Sequence, residues 1–115
     1  MRILAGLSFL AWLGASAPCF AHAFLSHADP AAGARLAKAP AAITLDFTEE
    51  LEPAFSGASV VGPTGQEFAT ATKVEGGTIT VALAALKPGK YVVHWHAVSV
   101  DAHRTQGAYS FVVAP

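Results

Sequence analysis

Leu86-Lys87-Pro88-Gly89-Lys90-Tyr91-Val92-Val93-His94-Trp95-His96-Ala97-Val98-Ser99-Val100 is the stretch that decides the fold class. Pro88-Gly89 is a turn signal, because proline presets its own φ and glycine accepts backbone angles closed to other residues. From Lys90 onward the side chains alternate. Tyr91, Val93 and Trp95 fall on one side of an extended chain, and Val92, His94 and His96 fall on the other. A two-residue period built from aromatic and β-branched residues predicts a half-buried strand over 90–100.

The same punctuation recurs at intervals of roughly eight to twelve residues, the spacing expected of an all-β sandwich or barrel. Turn signals sit at 30–33, Pro40, Pro53, Gly62-Pro63-Thr64-Gly65 and Gly76-Gly77. Between them, Ile43, Leu45 and Phe47 alternate with Thr44 and Asp46, and Thr78-Ile79-Thr80-Val81 repeats the pattern. Tyr109, Phe111 and Val113 alternate with Ser110 and Val112 in a closing strand over 107–113. Only the alanine-rich segment 31–42 offers a helical alternative. Leu86 to Tyr91 has the form of a tyrosine corner, in which a tyrosine at the start of a strand bonds back to upstream backbone in immunoglobulin-like sandwiches. Trp95 is then expected in the core, with Tyr91, Phe47, Phe68 and Phe111.

The N-terminus decides the compartment. Met1-Arg2 carries a positive charge, Ile3 to Leu13 is apolar, and 14–21 is rich in small residues, the three regions of a secretory signal peptide. The apolar run is too short to span a bilayer, which takes about 20 residues. We expect residues 1–21 to be a signal peptide and 22–115 a single exported, periplasmic domain with no direct membrane insertion once processed. Cleavage after Ala23 competes with cleavage after Ala21, and only the latter leaves His22 as the first residue. Cys19 lacks the aliphatic context of a lipoprotein signal.

Composition then narrows the chemistry. Seven Lys and Arg against eight Asp and Glu give a formal charge of -1, which removes the electrostatic basis for nucleic-acid binding. Processing would remove Cys19 and the initiator methionine, so thiolate catalysis, a Cys-His zinc site and an iron–sulfur centre fall away. All eight carboxylates and all five histidines remain. Asp101-Ala102-His103 places a carboxylate and an imidazole two residues apart, on the same side of an extended segment. If His22 is the N-terminal residue, its α-amine and imidazole can close a chelate ring on one ion. Together these groups supply nitrogen and carboxylate donors that suit tetragonal Cu(II), while zinc fits less well.

At this point the chain resembles the CopC copper-resistance family of small periplasmic copper carriers. The resemblance rests on His22-Ala23-Phe24-Leu25 with 30–36, on Leu45-Asp46-Phe47, on 86–91, and on Trp95, Ser99, Asp101, His103, Gly107, Phe111 and Val113. It implies an immunoglobulin-like Greek-key β-barrel and one Cu(II) per domain, held by His22, Asp101 and His103. It also implies a role in copper tolerance or uptake, often beside an inner-membrane CopD-type copper transporter.

The departures bear on the metal. Phe47 to Val60 contains no methionine where some relatives hold Cu(I) in thioether ligands, so a site of that kind is not expected. Ala102 and Arg104 stand where glycine and often proline are usual, and His96 stands where arginine is common; both Asp101 and His103 are expected to survive these changes. His27, His94 and His96 read as solvated or hydrogen-bonded strand residues, since a His94/His96 metal site lacks a third ligand in the sequence. Glu49, Glu50 and Glu52 read as a solvated acidic turn. Two other readings compete: a copper mono-oxygenase-like enzyme with an N-terminal His site, disfavoured by the small domain and the nearby carboxylate, and a metal-free immunoglobulin-like scaffold.

Overall fold

The computed structural model describes residues 24–115. The strands are β1 (Leu25–Asp29), β2 (Arg35–Leu36), β3 (Ala42–Phe47), β4 (Gly57–Val61), β5 (Ala69–Glu75), β6 (Thr78–Leu83), β7 (Gly89–Val98) and β8 (Arg104–Val113), with a 3-10 turn at Pro53–Phe55. They form two four-stranded sheets, ordered β1-β3-β6-β5 and β2-β8-β7-β4. β3 lies beside β6 although β4 and β5 intervene in sequence, the Greek-key crossing expected. The sheets pack as a sandwich and do not close into a barrel, because the edge strands β1, β5, β2 and β4 are not laddered across the gap. No helix among the described residues is long and apolar enough to cross a membrane.

Alternation decides which side chains enter the core. Ile43, Leu45 and Phe47 of β3, Ile79 and Val81 of β6, and Tyr91 and Val93 of β7 are buried between the sheets with Phe111 of β8. Tyr91 stacks on Phe111 with ring centroids 5.6 Å apart, and Phe68 meets Tyr91 edge-on at 5.3 Å. Each such pair adds about 0.5–1.5 kcal/mol beyond area burial. The Tyr91 hydroxyl donates to the Lys87 carbonyl at 2.6 Å, so the tyrosine corner forms and satisfies the one polar atom this ring takes inside. Phe68 and Trp95 are only partly buried, packed against this cluster rather than within it.

The alanine-rich segment 31–42 forms no helix. Its backbone finds partners across the fold instead: the Gly33 amide donates to the Ser110 carbonyl at 2.7 Å, and β2 pairs in parallel with the end of β8. Tertiary pairing outweighs the helical preference of alanine here.

Gly107 faces Trp95 across the β7–β8 ladder. A Cβ at position 107 would stand 2.6 Å from Trp95 Cζ2 and 2.8 Å from Cε2. The indole cannot easily retreat, because Phe47 meets it edge-on with centroids 5.1 Å apart. Gly107→Ala is therefore expected to destabilise the fold by about 1–3 kcal/mol, read as a lowered midpoint in urea or thermal unfolding. An unchanged midpoint would show that the indole has room to shift.

Candidate metal centre

The inward register of β7 runs through Tyr91, Val93 and Ala97 to Ser99, which is fully buried and bridges to Leu51. A hydroxyl at such a position must find partners. It accepts from the His103 amide at 3.3 Å and donates to the Asp101 carboxylate. The backbone closes the same turn: the Ser99 amide donates to the His103 carbonyl at 2.9 Å, and the Ala102 amide donates to the Ser99 carbonyl at 2.8 Å. Ala102 adopts φ 73°, the left-handed region that an alanine enters only at a cost. Position 102 thus has the backbone geometry that a glycine adopts at less cost.

This turn brings the two sequence-predicted ligands together. His103 Nδ1 lies 3.1 Å from Asp101 Oδ1, with both side chains partly open to solvent. The Ser99 hydroxyl, then the His103 ring, hold the Asp101 carboxyl below the usual carboxylate value, against a weaker opposing effect of desolvation. The carboxylate therefore stays ionised, and able to ligate, at lower pH than an ordinary aspartate. Asp101 and His103 are the described residues here that would hold an ion, the one through carboxylate oxygen and the other through imidazole nitrogen.

His22 lies outside the described residues. The chain nearest to it is fixed: the Phe24 amide donates to Thr48 Oγ1 at 3.0 Å, and the Thr48 amide donates to the Phe24 carbonyl at 2.9 Å. Two residues beyond Thr48, the Glu50 carbonyl accepts from the Val100 amide at 3.0 Å. The start of β1 and the Asp101–His103 turn thus flank one short segment, 48–50, at one end of the sandwich. Among the described residues no group of three His, Cys, Asp or Glu side chains gathers around a metal position. Asp101 and His103 form a pair.

The remaining histidines lie elsewhere. His94 and His96 project from β7 to the solvent face of their sheet, opposite the core, as the alternation predicts. His27 is exposed on β1 opposite Asp46, beside a register shift. Glu50 is exposed, while Glu49 and Glu52 are half-buried. The residue whose role the sequence reading missed is Ser99. Its signal was present, since it is the polar residue that falls at an inward position of an otherwise apolar series.

Comparison with known proteins agrees with the fold. The family model described as the CopC domain matches residues 25–114. Protein YobA of Escherichia coli (strain K12) is 46% identical over 99 residues, covering 82% of this chain and 80% of that protein. Copper resistance protein C of Xanthomonas campestris pv. juglandis is 36% identical over 109 residues, covering 86% and 85%. The crystal structure of CopC from Methylosinus trichosporium OB3b superposes with a TM-score of 0.77 at 33% identity, covering 82% of this chain and 95% of that one. With a family match that spans nearly all of the described chain, and with its two-sheet architecture shared by a solved relative, the protein belongs to the CopC family of copper resistance proteins.

Proposed function

We propose that the processed protein begins at His22 and carries one Cu(II) in the periplasm. The ion is held by the α-amine and imidazole of His22, the carboxylate of Asp101 and the imidazole of His103. The observation that carries this reading is the 3.1 Å approach of His103 Nδ1 to Asp101 Oδ1, at the end of the sandwich where β1 begins. From Phe24 back to His22 is two residues, a reach of about 7 Å in extended chain. The binding of Phe24 to Thr48 supports a short path from the N-terminus to the turn. Function as a carrier follows from this donor set: an exposed pair of protein ligands can pass an ion to another protein, for which an inner-membrane CopD-type transporter is the partner the family suggests.

The donors are nitrogen and carboxylate oxygen, borderline to hard, with no thioether or thiolate among them. The processed protein is therefore expected to take up one equivalent of Cu(II) and to discriminate strongly against Cu(I). Competition titrations with chelators specific for each oxidation state test this. Comparable affinity for both would overturn the ligand set. No copper uptake at all would favour a metal-free scaffold.

A further inference from the structure

We infer that the solvent face of the β2-β8-β7-β4 sheet carries a second, weaker site for a late first-row divalent cation, centred on His94 and His96. The two residues are two apart on one strand, so their side chains leave the same face with a rise between them of about 6.7 Å. Imidazoles standing that far apart can tilt toward each other and meet on one ion at bonds of about 2.0–2.1 Å. Both rings are exposed, and neither makes a hydrogen bond or ion pair among the described residues.

The cross-strand neighbours leave room for a cation. His94 sits between Ser59 on β4 and Ala108 on β8, and His96 sits between Gly57 and Gln106. None of the four is charged. Three are small, which leaves a shallow trough of about 580 Å³ around the two rings. Gly57 supplies the clearance under His96: a Cβ there would stand 3.4 Å from the ring's Cε1 and 3.6 Å from its Nε2. The Ser59 hydroxyl and the Gln106 amide oxygen, diagonal to each other across the trough, are the neutral donors next to the two rings. Water completes the coordination.

Two neutral imidazoles with weak oxygen donors make a modest site for ions such as Zn(II) or Ni(II). It lies on the flat of the sheet, whereas the Asp101–His103 turn lies at the sheet's end, so the two sites can fill independently. The inference does not rest on the proposed copper chemistry.

Zn(II) is the probe. Mature protein preloaded with one equivalent of Cu(II) is titrated with Zn(II) by calorimetry, and one further equivalent is expected. His94→Ala and His96→Ala should each weaken that step by about tenfold or more, and Gln106→Ala by less. Because both histidines are exposed on a sheet face, these variants should fold. In metal-free protein, Zn(II) should shift the ring resonances of His94 and His96 together in an NMR titration. Absence of the second equivalent overturns the site, as does its persistence in a variant lacking both histidines. An Asp101→Ala/His103→Ala variant separates the two readings: it should lose the first Cu(II) and keep the Zn(II) step.

Discussion

Asp101→Ala and His103→Ala should each lower Cu(II) affinity by about a hundredfold, while His94→Ala and His96→Ala leave the first equivalent of Cu(II) nearly unchanged. The first pair share an ion position through groups 3.1 Å apart, and the second pair project from a different surface. Ser99→Ala should fall between these extremes, with a loss of about tenfold. Its hydroxyl touches no ion but donates to Asp101, and it is the leading cause of that carboxyl's lowered pKa. Removing it should bring the Asp101 pKa back toward the ordinary carboxylate value, which is measurable by NMR in metal-free protein. A merely structural serine would leave that titration where it was. Should His94→Ala and His96→Ala instead produce the larger loss of Cu(II), the binding surface lies on the sheet face and the turn is not the copper site.

The sign of the pH dependence follows from the same contacts. A carboxyl held below its ordinary value contributes to folding above that ordinary value, and the contribution is lost as pH falls through the lowered one. For the metal the consequence is that the Asp101 carboxylate stays available as a ligand to lower pH than an ordinary aspartate would.

How much of this could be read from the residues depended on burial. β3, β6, β7 and β8 bury one face each, so apolar and polar residues alternate in them and the period of two is visible. β5 is an edge strand in which four consecutive residues are exposed; Ala-Thr-Ala-Thr alternates only small with polar residues, and the phase breaks at Lys73, so no large apolar face marks it. β2 is two residues long, and its pairing with β8 is a property of the whole chain that no local pattern carries. A sheet closed into a barrel and two open sheets share the same alternation; only the pairing of edge strands distinguishes them. At the site, the Asp-x-His spacing drew attention to Asp101 and His103 on the expectation of an extended segment, and the family resemblance made them ligands; in the structure a closed turn, not an extended chain, brings them together. The hydrogen bonds of Ser99 and the left-handed backbone of Ala102 depend on how the turn closes. His22 lies beyond the described residues, and its role rests on processing.

The experiment that reaches that step is an extension of the mature chain by one residue ahead of His22. It keeps the His22 imidazole and converts the α-amine into a peptide nitrogen. An α-amine ordinarily loses its proton near pH 7.7–8.0, so a strong metal can displace that proton at neutrality. A peptide nitrogen gives up its proton far less readily, and the chelate ring cannot close in the same way. Because loss of a ring removes more than one donor's share, Cu(II) affinity should drop by about a hundredfold, well beyond any effect of His94→Ala. The fold should be intact, since the core lies between the sheets and the chain from Phe24 onward keeps its bonds to Thr48. Mass spectrometry of the exported protein comes first, because a mature chain starting at Phe24 would remove His22 and with it the proposed site. Given a chain that starts at His22, unchanged Cu(II) affinity in the extended variant would show that the amine is no ligand, leaving the imidazoles of His22 and His103 with Asp101 to hold the ion.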